Sequence, residues 1–537
     1  MFIDLIKLKK RSAFIAAALF AAASIATVIY YIIWPSEAYF HADCSDTILW
    51  AQASYDSGSL FNKDFGYAAM LPFGGTTLML PFIGVFGVSM TTHHIGMVLF
   101  TLLLFASVWL LCRCLKFSYL LSFSAVGVLA MTLCASEKLR EIFYEHVIYY
   151  SICILIICVL LSLFIKFKEA FEKEKSAKQL VIITFCIVIF SACSALDGMQ
   201  IIATGVLPVL FAAVAEIFLN REQKLFSKES RISIYYCIIC GFSVLVGLWI
   251  LMLVSDGISA GYAGAYSSYA NMDEWLGNLG KFPLHWFKLF GVDAQYGMSI
   301  FSMESIINIV RIGTAAIIAV IPMVALIFYN KLDFGSKLLA LTHFGLSAVI
   351  MFGYVFGILS AADWRLSPMI CTGILVCFAL IRASNGYVIS SRLTAIMACL
   401  LILMSAVSFK TIAQMEKNGI ANNEKYQLAQ TLEEKGFTYG YATFWNSQAI
   451  TVLSDSNVKA VNVDVNENGI SPGLYQSNSK WFEEQEGVEE YFVLLSDYEI
   501  SVLQGTQDWS LFEMLSTGVT EISGYKIYTF NSLFFLS

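Results

Sequence analysis

Two carboxylates stand just beyond the first apolar run of a chain that is otherwise poor in charge, in His41-Ala-Asp-Cys-Ser-Asp46. Asp43 and Asp46 are three residues apart, so a helix there puts both on one flank, where they could act on one substrate as general base and second acid. A plainer reading is that interfacial acids mark where the chain leaves lipid. Further along, Glu141, Glu145 and His146 follow an apolar run, as do Asp197 and the pair Asp363 and Arg365. Ionisable groups at membrane depth are costly and tend to be functional. The carboxylates suit proton abstraction, and the guanidinium of Arg365 suits a phosphate, because it stays charged and donates two parallel hydrogen bonds.

Elements that could bring these groups together follow from composition. Hydrophobic residues make up 58% of the 537, charged residues 14%, and mean hydropathy is +0.71, far too apolar for a soluble domain. Eleven spans are expected, near 12–34, 92–112, 118–135, 147–165, 179–196, 200–219, 232–254, 309–328, 338–358, 366–384 and 393–409. The first follows Lys7, Lys9, Lys10 and Arg11 and lacks a small-residue cleavage site before Tyr39, so it reads as a retained signal anchor. Of the 33 Lys and Arg residues, 19 fall in the N-terminus and alternate loops and seven in the opposite loops. That asymmetry puts the N-terminus in the cytoplasm of a multi-pass cell-membrane protein and every named acid, with Arg365, at the outer face. It also argues against a crossing by Leu71–Val88, whose Pro72, Pro81 and glycines suit a re-entrant or juxtamembrane piece of an outer loop over 35–91.

The domain boundary falls at 409/410. From Lys410 onward the chain holds 17 acidic residues against seven Lys and no Cys, with strand-like runs at Tyr439–Trp445, Val458–Val465, Tyr491–Leu495 and Tyr525–Phe530. Helical patterns lie at Asn423–Glu434 and Asn446–Leu453, so an all-α membrane domain followed by a small extracytoplasmic α/β domain is predicted. An acidic surface of this kind does not suit nucleic acid. Twelve of thirteen cysteines lie in or beside spans, which excludes an outer disulfide framework, and Cys237 and Cys240 have their CxxC spacing inside an apolar run. His93-His94 would point apart on a helix. No phosphate-cradling or dinucleotide glycine motif and no HExxH occurs. In the long outer loop 255–305, Tyr266, Tyr269, Trp275, His285 and Trp286 could meet carbohydrate or form an interfacial aromatic belt.

The acidic motif Asp43 to Asp46, the Pro-containing stretch Phe65 to Pro72 and the junction Phe86-Gly-Val-Ser89 resemble, over roughly the first 150 residues, the GT-C superfamily of polytopic membrane glycosyltransferases. Bacterial protein-mannosyltransferases and aminoarabinose transferases are the members in view. Arg365-Leu-Ser-Pro368 is similar to a later outer-facing Arg of such proteins, and the usual Asp-Glu pair is here Asp43-Cys-Ser-Asp46. The resemblance implies an inverting transfer of a sugar from a polyprenyl-phosphate donor to an envelope glycan, lipid or protein acceptor at the outer face. Asp43 would be the base, Asp46 a second acid for acceptor or metal, Arg365 the phosphate ligand, and Glu141, Glu145, His146, Asp197, Tyr266 and Tyr269 substrate contacts. A divalent cation could sit at Asp43 and Asp46, though two acids do not specify one. A transporter, flippase, polymerase or ligase for lipid-linked glycans is the alternative; a transporter would need polar groups near the midplane.

Overall fold

The computed structural model describes residues 2–67, 72–172, 177–219, 227–254, 268–358, 362–383, 390–506 and 509–536. Ten of its helices are long and apolar enough to cross a membrane: Arg11–Ile33, Met90–Cys114, Tyr149–Glu172, Ala177–Ala195, Gly198–Leu219, Lys228–Val254, Met303–Ile327, Phe334–Phe356, Asp363–Ala383 and Ser391–Ala413. An eleventh, Tyr119–Thr132, is shorter and turns by 120° into Glu137–Glu145. These follow the eleven runs expected from the sequence, and the chain is a multi-pass membrane protein.

Between the first two long helices, no helix among the described residues is long enough to cross a membrane. Trp34 leads into a short 3-10 turn, Pro35–Tyr39, then the loop helix Ala42–Ser57, closed by Gly58 in the left-handed region. The stretch expected not to cross becomes a 12-residue helix, Gly75–Phe86, with Pro81 inside. Its length is about 18 Å, well short of a ~30 Å hydrocarbon core.

The last segment forms a six-stranded sheet with helices. Its strands are β1 (Tyr439–Ala442), β2 (Lys459–Asn466), β3 (Gly469–Pro472), β4 (Tyr491–Ser496), β5 (Gly518–Ile522) and β6 (Tyr525–Phe530), in the order β3-β2-β1-β4-β6-β5. β1 runs parallel to β2 and β4, and the remaining pairings are antiparallel. Alternation places Tyr441, Val493 and Phe530 on one buried face and Ala442, Phe492 and Ile527 on the other, against Leu428, Leu432 and Ile450 of the covering helices. A Cβ at Gly440 would lie 2.3 Å from Phe492, so only glycine fits there. The first strand-like run ends at Ala442 rather than Trp445. Thr443 adopts the extended backbone of a helix N-cap, and Phe444 and Trp445 open the helix Phe444–Leu453.

This sheet domain rests on the first loop. Gly66 N–H donates to Ser477 O at 2.9 Å and Gln476 N–H to Gly66 O at 2.8 Å, and Ser479 N–H reaches Asp64 O at 2.8 Å beside a Lys480–Asp64 ion pair at 2.9 Å. A side chain at Gly66 would strike the Leu474 carbonyl at 1.9 Å. Asn423 donates to the carbonyls of Glu37 and Phe40, each at 2.9 Å, and Ser456 to that of Val88 at 2.9 Å. Two segments in contact lie on one side of a membrane, so an even number of crossings separates them. Nine of the ten long helices lie between, and the shorter apolar helix Tyr119–Thr132 would make the number even.

Candidate active site

Beyond the third span the backbone sets up an alternation. Ser136 caps the turn Glu137–Arg140 by accepting from Leu139 N–H at 3.2 Å, and a wide π-helical turn follows at Glu141–Glu145. Such single π turns recur at functional positions because they shift one side chain out of helical register. Here the shift separates two sets of groups. Lys138 ion-pairs with Glu141, and Glu141 Oε1 lies 3.7 Å from His146 Nε2. Glu145 and Arg140 turn the other way: both are buried, Glu145 accepts from the Tyr31 hydroxyl of the first span, and Arg140 lies over the Tyr31 ring at 5.4 Å.

The loop helix closes the cluster from the opposite side. His41 is its N-cap residue, with Nε2 3.8 Å from Glu141 Oε1 and its ring 6.4 Å from that of His146. Asp43 occupies the first turn, where the helix dipole favours an anion, and its charge acts on His41. Burial, then the neighbouring His146, push the His41 pKa below its ordinary 6.5 against the opposing pull of Glu141 and Asp43, so the imidazole is neutral at pH 7.

Asp46 lies on the same flank but faces the sheet domain. Its Oδ2 accepts from Gln476 Nε2 at 2.7 Å. The orientation of that amide follows from Trp50, whose indole N–H can only donate and does so to Gln476 Oε1, leaving the NH2 for Asp46. Gln448 completes the junction by donating to the Gln476 carbonyl at 2.7 Å. Burial and the nearby Asp43 raise the Asp46 pKa well above its ordinary value despite the Gln476 hydrogen bond.

Arg365 stands in the 3-10 turn Asp363–Leu366, which opens the tenth span. Its Nη1 donates to Gly353 O at 3.3 Å, and it lies close to the Tyr150 hydroxyl. Asp363 pairs instead with Lys288 at 3.6 Å, and among the described residues no carboxylate is ion-paired with Arg365. Trp364, between them in sequence, places its ring 5.1 Å from Lys138 Nζ. The Arg365 turn is therefore joined to the Asp43 cluster through Trp364, Lys138 and Glu141.

The remaining expected site residues are more dispersed. Asp197 is buried at the start of Gly198–Ile201. Tyr269 is exposed and pairs through its backbone with Gly357 near Arg365, and Tyr266 lies outside the described residues. Trp286 is buried and donates to Ala315 O at 2.9 Å, while His285 Nδ1 meets the Tyr354 hydroxyl at 2.8 Å. His93 packs edge-on against Phe40, and His94 Nε2 lies 3.6 Å from Glu37 Oε1, so the two rings diverge. For a cation, Asp43 and Asp46 are the acids in reach of one another. No group of three or more His, Cys, Asp or Glu side chains in metal-holding geometry occurs among the described residues.

His41, Lys138, Trp364, Trp445 and Gln476 belong to this surrounding without having been singled out from sequence. His41 could have been, since it directly precedes the acidic motif. Gln476 lies 430 residues from Asp46 with no local signal.

No family model matches the sequence, and no curated protein matches it. Among solved structures, the chain is similar to ArnT from Cupriavidus metallidurans in the apo state, with 11% identity and a TM-score of 0.46 over 97% of this chain and 98% of that one. The same protein bound to undecaprenyl phosphate gives 11% and 0.45 over the same shares. An Archaeoglobus fulgidus oligosaccharyltransferase in complex with Zn and sulfate gives 13% and 0.45 over 98% of this chain and 74% of that one. At these identities the likeness is one of fold alone.

Proposed function

We propose that the protein is a membrane glycosyltransferase that moves a sugar from a polyprenyl-phosphate donor to an envelope glycan, lipid or protein acceptor at the outer face. The supporting observation is the assembly of Asp43, His41, Glu141, His146 and Lys138 at the ends of several spans, next to a turn that holds Arg365 without an ion-paired carboxylate among the described residues. A carrier would need such groups near the midplane, and these gather at one end.

Asp43 takes the proton from the acceptor hydroxyl as its oxygen attacks the anomeric carbon. The bond to the donor phosphate breaks with inversion, and Arg365 offsets the charge left on the phosphate. Lys138 lies between the two and holds Glu141 for sugar hydroxyls. Asp46 keeps the loop helix seated on the sheet domain. If a divalent cation binds, Asp43 and Asp46 would supply two of its oxygens and it would add positive charge at the phosphate.

The test is transfer from a radiolabelled polyprenyl-phosphate sugar to membrane acceptor by the full-length protein in nanodiscs. Asp43→Asn should abolish transfer while expression and fold persist. Near-wild-type turnover by that variant would remove Asp43 as the base.

A further inference from the structure

Trp445 of the sheet domain lies beside His41, the residue that opens the loop helix. It sits in the first turn of Phe444–Leu453, and its ring lies 6.4 Å from that of His41 at an interplanar angle of 42°. The two helices meet in register: Gln448 lies beside Ser45 at 3.5 Å, and one turn earlier Trp445 lies beside His41. The indole is held edge-on by Phe444 at 5.3 Å, which packs in turn on Tyr475 at 5.3 Å. It is nevertheless 59% exposed. An exposed aromatic residue is ordinary in itself, but this one lies beside His41, whose imidazole in turn lies 3.8 Å from the Glu141 that Lys138 ion-pairs.

We propose that Trp445 is the stacking surface for the acceptor, and hence that the acceptor is a carbohydrate. This rests on the transferase reading and deepens it. A pyranose has one face of C–H groups and a rim of hydroxyls. Its apolar face fits the open indole, and its rim then meets His41, Glu141 and Asp43, so one hydroxyl comes within reach of the base. A purely aliphatic acceptor would leave the charged groups below Trp445 unsolvated, which is costly. The donor phosphate approaches from the other flank, where Trp364 adjoins Lys138 and Arg365 is hydrogen-bonded to the Gly353 carbonyl with no ion-paired carboxylate among the described residues. The two substrates thus enter from different sides, the donor beside the spans and the acceptor beneath the sheet domain.

The full chain in nanodiscs tests this by saturation-transfer NMR with maltotriose, mannotriose, chitotriose and galactobiose as probes, alongside thermal stabilisation by undecaprenyl phosphate. At least one glycan should bind. Its affinity should fall by about tenfold or more in Trp445→Ala and Trp445→Leu, and stay within about threefold in Trp445→Phe. Stabilisation by undecaprenyl phosphate should be unchanged in all three, which also reports that they fold. Binding of none of the four glycans, or equal binding by wild type and Trp445→Leu, overturns the proposal. Failure of undecaprenyl phosphate to stabilise the wild type instead counts against the transferase reading, and the glycan result is read separately from it.

Discussion

Asp43 and Asp46 share a helix flank yet face different surroundings. Asp43 lies among His41, Glu141 and His146, whereas Asp46 is held by Gln476. Asp43→Asn removes a proton acceptor with little change of volume, so transfer should fall by on the order of 10²- to 10⁴-fold. Asp46→Asn should be milder, because an amide can still accept from Gln476, and its effect should show first in thermal stability. Steady-state transfer and melting curves on the two variants separate the roles. Arg365→Ala should lower donor use by about tenfold to more than a hundredfold, the loss of one charge-assisted phosphate contact of roughly 1.5–3 kcal/mol, with Lys a partial substitute. A polyprenyl-phosphate-induced thermal shift equal to that of the wild type would reject this role. The acids and Arg365 were visible in the sequence because charge is rare in so apolar a chain. The division between Asp43 and Asp46 was not, since it depends on Gln476, and the inward turn of Glu145 depends on a π turn that periodicity does not announce.

At the scale of elements, the loop helix and the sheet domain meet through a strained residue. Gln476 has φ of 56°, a region that non-glycine residues rarely adopt, and its side chain is fully buried between Trp50 and Asp46. Gln476→Glu sets a carboxylate against Asp46 and removes its donor. The expected loss is about 1.5–3 kcal/mol, read as a lower melting temperature and faster proteolysis of the sheet domain. A second contact responds to pH. Burial first, and the charge of Asp455 second, push the Glu37 carboxyl from its ordinary 4.5 up to about 7. The folded state thus keeps a proton that the unfolded chain releases earlier. The contribution of Glu37 is complete below about pH 4.5 and is lost as pH rises through about 7. Melting temperature should fall across that window, and Glu37→Gln should flatten this part of the profile; parallel profiles for the two proteins would remove Glu37 as the cause. Periodicity found four of the six strands and the helices at Glu424–Glu434 and Phe444–Leu453. It missed the short edge strands Gly469–Pro472 and Gly518–Ile522, whose alternation is weak, and it carried the first strand through Trp445 because Thr443, like the aromatic residues after it, suits a strand as well as a helix start.

For the molecule as a whole, the span pattern was legible because apolar length and loop charge are both written locally. Docking was not, because it joins distant segments. The contact between the first loop and the sheet domain requires an even number of crossings between them, and the basic-residue asymmetry favours the outer side for both. An Asn468→Cys variant, at an exposed turn between β2 and β3, should react with an impermeant thiol reagent in intact cells. Reaction only after lysis would invert the orientation and the proposed site with it. Asn478 would be a poor place for that label, being buried against Phe65.

The pairing of Asp46 with Gln476 also sets a clock. The two residues are 430 positions apart, so the loop helix is synthesised long before its clamp has been made. At about 5–20 residues per second, roughly 20–90 s of synthesis separates them. During that interval the nascent chain carries its acids without the surface that seats them. A ribosome stalled before Gln476 therefore leaves a loop helix without the residue that holds Asp46.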